Sequence, residues 1–338
     1  MLRSMYSGIS GLKAQQTKLD VIGNNIANAN TTAFKSQSIR FKDMLSQSMS
    51  EATGPQGNIG GTNPRQIGLG VQIGGIFTDT TTGNMQTTGR NLDVAIDGPG
   101  YFIVGRGKVV EGAGDTATST PDTLGITKHE FDSTTSKGSV ETMFTRDGSF
   151  ILDEQGSLLT SDGLRVYGYA NGNSIEYKGA PDQHVVTDPA DELKDQTSLQ
   201  PLVIPDQLNI SGEDQRVQSF SIEQNGVIKA TLANGSNVEI GQIAMASFKN
   251  PGGLTKTGKN LYTSSANSGD PIVRSSKGAD DDNSKGYGDC LQGKTEMSNV
   301  DLAEQFTEMI VANRAFQACG KMITTGDEIL QDLVNLKR

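Results

Sequence analysis

Large apolar side chains recur at Leu2, Met5, Ile9, Leu12, Leu19 and Ile26, an a/d heptad in which Gln16 and Gly23 take two of the a positions. The spacing predicts an amphipathic helix with a narrow apolar seam, suited to a coiled-coil partner more than to a globular core. Asn24, Asn25, Asn28 and Asn30 crowd its exit, and Asn leaves helices more readily than it extends them. The other end of the chain mirrors this. Ser298-Asn299-Val300-Asp301 offers a capping hydroxyl with an acid three residues on. Leu302, Phe306, Met309, Phe316, Ile323, Leu330 and Val334 then form a second stripe. At 1.5 Å per residue the two helices are about 40 and 55 Å long.

Between the ends the texture is β. Leu92–Ile96, Tyr101–Val104, Ser149–Leu152, Leu164–Tyr169, Ser219–Ile222 and Ile243–Phe248 are short apolar runs. Asp97-Gly98-Pro99-Gly100, Arg146-Asp147-Gly148, Asn225-Gly226 and Asn234-Gly235 lie between or beside them, and supply the positive φ that tight hairpins need. Residues 46–75, rich in Gly, Ser, Thr and Asn, read as an extended or loosely folded connector. Two polar stretches, 105–142 and 170–207, read as surface excursions from the β unit. The expected class is α+β. Helical segments at 1–30 and 298–338 pair as a coiled-coil-like stalk, 31–75 is an extended connector, and 76–297 is a discontinuous β-rich domain. Both termini must meet for the helices to pair, so the β domain is expected to hang from the stalk.

Composition narrows the function. Apolar residues make up 34% of the 338 and aromatics 5%, while the 41 glycines are nearly double the usual share. That suffices for modest β-rich units, not for one large enzyme core. A net charge of −10 opposes binding to nucleic acid, whose affinity comes largely from Lys and Arg at phosphates. No run of about 20 apolar residues exists, so no membrane insertion is expected. The start, Met1 to Gly8, has no unbroken apolar stretch and does not read as a secretory signal peptide. Locally the ends differ in sign: residues 1–45 hold six basic and two acidic side chains, and 296–338 hold four and seven. Such helices attract each other, or neighbouring copies.

The chemical motifs are weak. Gly288-Asp289-Cys290-Leu291-Gln292-Gly293-Lys294-Thr295 has the letters of a phosphate-cradling P-loop, which must leave a buried strand and open a helix. The polar residues before it, Ser275 to Asn283, cannot form that strand. Asp280-Asp281-Asp282-Asn283 invites a calcium reading, but Lys285 and Gln292 stand where an EF-hand loop needs oxygen ligands. His129 and His184 have no Cys or acidic partner at ligand spacing, so no metal site and no cofactor are expected. Cys319 reads as a small core residue. Cys290 reads as an unpaired structural thiol, although nearby Lys294 would favour reactivity.

The ends also carry a resemblance. Ser4-Met5-Tyr6-Ser7-Gly8-Ile9-Ser10-Gly11-Leu12, followed by Leu19-Asp20-Val21-Ile22-Gly23-Asn24-Asn25-Ile26-Ala27-Asn28, resembles the start of bacterial flagellar hook and rod proteins. So do Glu296 to Glu304 and Met309 to Gln317 at the close, and Leu92 to Phe102, Phe144 to Phe150, and Gly241 to Leu254 in the middle. Within that family Met5 to Gly11, Ile22 to Asn25 and Phe41 to Leu45 look like the hook, as does the added length at 105–142 and 170–207. The distal rod is the second reading. A secreted β-rich adhesin or binding module, from another class, accounts for the middle but not for the heptad ends. The resemblance implies a non-enzymatic subunit, exported unfolded through the flagellar type III apparatus to the extracellular part of the flagellum. There it polymerises with copies of itself into a curved, flexible tube that transmits torque. Its implied partners are the distal rod protein, the hook–filament junction proteins and, during assembly, the hook cap. Terminal helices line such a tube and β domains form its outer layers. Leu12, Leu19, Ile26, Phe306, Phe316 and Ile323 are the expected assembly residues. Two departures stand out: Ala33 replaces the family's glycine in Asn-Thr-x-Gly-Phe-Lys, which stiffens the stalk exit, and Cys319 sits where a polar residue is common.

Overall fold

The computed structural model describes residues 2–55, 57, 60–106, 123–127, 129–137, 140–170, 175–177, 184–187, 198–210, 213–277, 279 and 282–336. They form two compact units: residues 1–81 together with 298–338, and residues 82–297. Much of both polar excursions and part of the 280–283 acidic run lie outside the described residues.

The first unit holds helices α1 (Leu2–Ala27) and α2 (Leu302–Asn335) and strands β1 (Gln37–Asp43), β2 (Ser46–Ser50), β3 (Arg65–Gly68) and β4 (Val71–Thr78). At 26 and 34 residues the helices span about 39 and 51 Å. The cap of α2 is Asp301, not the Ser298 hydroxyl. The Asp301 carboxylate accepts from the amides of Ala303 at 2.8 Å and Glu304 at 3.3 Å, satisfying two donors of the first turn. Ser298 Oγ accepts from Val300 N, one step too early. α1 ends where Asn28 Nδ2 donates to the carbonyl and side-chain oxygens of Asn24, each at 2.9 Å. Ala33 then takes a left-handed φ of 55°, with its methyl buried. Glycine adopts that conformation without the Cβ clash that alanine bears.

Residues 37–78, of which 37–75 were expected to belong to the 31–75 connector and 76–78 to the β-rich domain, carry two antiparallel strand pairs. β1 pairs with β4 from Gln37–Thr78 to Asp43–Val71, with a bulge at Arg40/Phe41, and β2 pairs with β3 further out. An isolated two-stranded ribbon is marginal in water. Here α1 supports it: Ser10 Oγ accepts from Val71 N at 3.3 Å, and Gly70 leaves room for that hydroxyl, which a Cβ would meet at 2.3 Å.

The second unit begins and ends as adjoining strands. Met85–Thr87 pairs antiparallel with Lys294–Glu296, and Val94–Asp97 with Asp289–Gln292. Between them the strands join through shared neighbours into a mostly antiparallel network around Tyr101–Arg106, which pairs with Glu141–Thr145, Arg165–Ala170 and Met245–Ser247. Edge-to-face ring pairs, Phe102 with Phe150 at 5.2 Å and Phe144 with Phe248 at 4.8 Å, mark two buried clusters. Gly148 is required sterically: a Cβ there would lie 1.6 Å from the Val94 carbonyl oxygen. Both Asn-Gly pairs do turn hairpins, but only the glycines, Gly226 and Gly235, take positive φ. Among the described residues no helix is long and apolar enough to cross a membrane.

Candidate assembly surface

In the first unit α1 and α2 run antiparallel. Asn25 reaches Gln305, Lys18 pairs with Glu308 at 3.3 Å, Gly11 faces Cys319, Gly8 faces Ile323, and Gly326 faces Met5. The pairing brings a basic helix against an acidic one.

The contact seam keeps the heptad period but not the phase read from the large residues. On α1 the inward positions are Gly11, Ala14, Lys18, Val21 and Asn25; on α2 they include Gln305, Glu308, Ala312, Ala315 and Cys319. Gly11, Lys18, Asn25, Gln305, Glu308 and Ala315 each precede a member of the large-residue stripe by one position, while Ile323 of that stripe is itself turned inward. Small side chains let two backbones approach closely, so they take the centre of the contact. Leu12, Leu19, Ile26, Phe306 and Phe316 are turned about 100° round their helices from it.

The six expected assembly residues therefore part company. Ile323 meets Gly8, its Cγ1 3.4 Å from where a Cβ would sit. Leu12, Leu19 and Ile26 are half-buried. Phe306 and Phe316 face solvent, at 50% and 37% exposure. Beside them Ile310, Val311, Met322, Ile329 and Val334 are also exposed. At about 100° per residue Val311, Met322 and Ile329 fall on one flank of the seam, Phe316 and Val334 on the other, and Phe306 and Ile310 on the back, so α2 exposes apolar side chains on more than one side. Soluble monomers rarely leave so much apolar surface open, and such surfaces mark interaction sites.

A second apolar surface escaped the sequence reading. Leu45, Met49, Ile67, Ile73, Ile76 and Phe77 on the two ribbons are exposed, with the Arg40 guanidinium 5.1 Å from the Phe77 ring. The alternation Val71, Ile73 and then Ile76-Phe77 was the available signal; glycines at 68, 70, 74 and 75 obscured it.

The P-loop letters fall on strands Asp289–Gln292 and Lys294–Glu296 joined at Gly293, and the next helix starts only at Leu302. Cys290 is buried with its Sγ 3.9 Å from Met245 Sδ, and burial pushes its thiol pKa up to about 12, against the activation that Lys294 suggested. Among the described residues no three His, Cys, Asp or Glu side chains are grouped to hold a metal. His129 lies on a turn at φ 68°, its carbonyl accepting from Val273 N, and His184 opens strand His184–Thr187.

Comparisons with known proteins run the length of the chain. Residues 5–35 match the family described as flagella basal body rod protein, 131–230 the flagellar hook protein FlgE/F/G D1 domain, and 291–336 the flagellar basal body rod FlgEFG protein C-terminal. The chain is 42% identical over 338 residues to the flagellar basal-body rod protein FlgG of Bacillus subtilis, covering 100% of both. It is 31% identical to the flagellar hook protein FlgE of Borreliella burgdorferi, again over 100% of each. The crystal structure of the Helicobacter pylori flagellar hook protein FlgE2 covers 61% of this chain and 98% of that one, at 11% identity and a TM-score of 0.37.

Proposed function

We propose that this chain, which belongs to the family of flagellar hook and basal-body rod proteins, is the subunit of the flagellar hook. The family is structural, so the chain is a structural protein of the flagellum and not an enzyme. Copies join through the outer faces of the helix pair and through the two ribbons, forming a curved tube that carries torque from rod to filament. The observation that carries the assembly reading is the set of large apolar residues, Phe306 to Val334, left exposed on several sides of α2 after it has packed on α1. Burying one such side chain contributes about 1.5–3 kcal/mol. Several per copy, repeated along a polymer, hold it together. Leu12, Leu19, Ile26, Phe306, Phe316 and Ile323 act in this contact, the exposed phenylalanines directly and the others by shaping a coiled-coil-like pair.

The hook rather than the rod is supported by the Met5-Tyr6-Ser7-Gly8-Ile9-Ser10-Gly11 start and by the added length at 105–142 and 170–207. In that role the subunit is exported by the type III apparatus and meets the distal rod protein, the hook cap and the hook–filament junction proteins. The distal rod is a second reading, favoured by the 42% identity with the Bacillus subtilis rod protein over the whole of both chains. Negative-stain electron microscopy of concentrated full-length protein, beside a chain lacking residues 1–30 and 300–338, separates the two. Curved tubes from the full chain alone are expected; straight tubes would establish the rod reading, and tubes from the truncated chain would refute assembly through the helices.

A further inference from the structure

Asn25 is 1% exposed, in the last turn of α1, and every part of its amide is engaged. Its Oδ1 accepts from Gln37 N at 3.0 Å, and its Nδ2 donates to Gln37 O at 2.8 Å and to Gln305 Oε1 at 3.0 Å. Gln305 lies in the first turn of α2, where its own amide donates to Asp301 O. One side chain thus ties the end of α1 to the start of β1 and to the start of α2.

Beside it Asn299 holds the segment leading into α2 to the segment leaving α1, its Oδ1 accepting from Ser36 N at 2.7 Å and its backbone amide donating to Phe34 O at 3.4 Å. Both of those segments can follow their helices, and the helix-to-helix contact itself is permissive along its axis. Gly8 and Gly11 stand three residues apart and both face α2. A Cβ at Gly11 would lie 3.0 Å from Cys319 Sγ, and one at Gly8 would lie 3.4 Å from Ile323 Cγ1. A Cβ at Gly8 would also lie 3.6 Å from the Cys319 carbonyl oxygen, and a slip of one turn brings the Cys319 side chain to Gly8 in place of Gly11, so one missing side chain substitutes for the other. The Lys18–Glu308 pair joins two long, partly exposed side chains, and such pairs contribute little. The slip does remove Asn25 from Gln305, and a buried donor left unpaired shifts an equilibrium by about 10-fold or more.

We infer that Asn25 selects the register of α1 against α2, and through it decides which apolar residues stay outside for the next copy. The second half rests on the assembly reading above; the first does not. A single polar residue among apolar or small ones is a known way to fix helix register.

The native Cys319 supplies the test. In the full chain Gly11→Cys places two Cβ atoms 4.0 Å apart, within the 3.5–4.5 Å of a disulfide, while Cys290 is buried and stays out. Mild oxidation, read by peptide mass spectrometry, is expected to cross-link Gly11→Cys to Cys319 and to leave Gly8→Cys largely reduced. Adding Asn25→Leu, or the nearly isosteric Asn25→Asp, to each reporter should raise Gly8→Cys cross-linking relative to Gly11→Cys by about 10-fold. A ratio unchanged by both substitutions, or equal cross-linking of the two reporters with Asn25 intact, overturns the register assignment. A shifted ratio with normal tubes overturns its link to assembly. If chains with native Asn25 form no tubes while the ratio shifts as expected, the register assignment holds and the assembly reading fails.

Discussion

Removing the charge on Glu296 should destabilise the β unit more than any other single isosteric change there. Its Oε2 lies 3.1 Å from Arg146 Nε, with both side chains at most 3% exposed, and its Oε1 accepts from Gly83 N at 2.9 Å. Arg146 Nη2 donates to Ile96 O at 3.3 Å and Gly98 O at 2.5 Å, and the guanidinium sits 5.7 Å from the Tyr101 ring. Glu296→Gln keeps the shape and the acceptor for Gly83. What it removes is the carboxylate charge paired with the buried guanidinium. Breaking one partner of a buried pair costs about 3–5 kcal/mol. For a unit of this size each kcal/mol lowers Tm by about 2–4 °C, so a fall of roughly 6–20 °C is expected. The chain has no tryptophan, and of its seven tyrosines only Tyr6 lies outside residues 82–297, so near-ultraviolet circular dichroism follows this unit. Arg146→Met combined with Glu296→Leu removes both charges and should recover most of the loss. A fall under about 3 °C for Glu296→Gln, with the double variant no better, would refute charge compensation as the reason for the pair.

Three further outcomes follow from the same geometry. Gly148→Ala must move the Val94 carbonyl, which a Cβ would meet at 1.6 Å, and should cost at least about 3 kcal/mol in denaturant titration. Phe316→Asp should raise the concentration needed for tube formation by about 10- to 150-fold, the equivalent of losing 1.5–3 kcal/mol of burial, with tyrosine dichroism unchanged; normal assembly would count against the α2 face. Cys290 has a folded pKa raised to about 12 from an ordinary value near 9, so the folded state holds the proton after the unfolded state has lost it. Its contribution is constant below about pH 9 and falls as pH rises toward 12, by about 1.4 kcal/mol per unit. Cys290→Ala should flatten that slope, and in the native protein at pH 8 a thiol reagent should label Cys319 far faster than Cys290.

The helices were legible because their periods survive in residue size. The phase of their contact was not: a hydrophobic stripe is found by its largest members, Leu12, Leu19 and Phe316, whereas the closest approach of two backbones selects the smallest, Gly11, Ala14 and Ala312. The start of α2 was misread for a related reason, since Ser298 and Asp301 are both good caps and only the chain's path decides between them. Turn residues located the hairpins, although Asn225 and Asn234 do not use the positive φ that they tolerate. The ribbons of residues 37–78 stayed hidden because their glycines and serines read as loop while their pairing depends on α1 alongside. Arg146 and Glu296 gave no signal at all. They are 150 positions apart, and burial, not sequence pattern, makes them a pair.

The adjoining strands at the edges of the second unit make the middle of this chain a cassette. Residues 83 and 84 hydrogen-bond to Glu296 and Met297, so the polypeptide departs and returns at one place. Whatever is added between those points need not alter the distance between the two passes. Insertions succeed where the flanking ends are close. The Borreliella hook protein aligns with all 338 residues of this chain across 452 positions, so its added positions fall within the aligned span. Size can thus be varied in the interior of the chain while the segments that build the first unit are left alone.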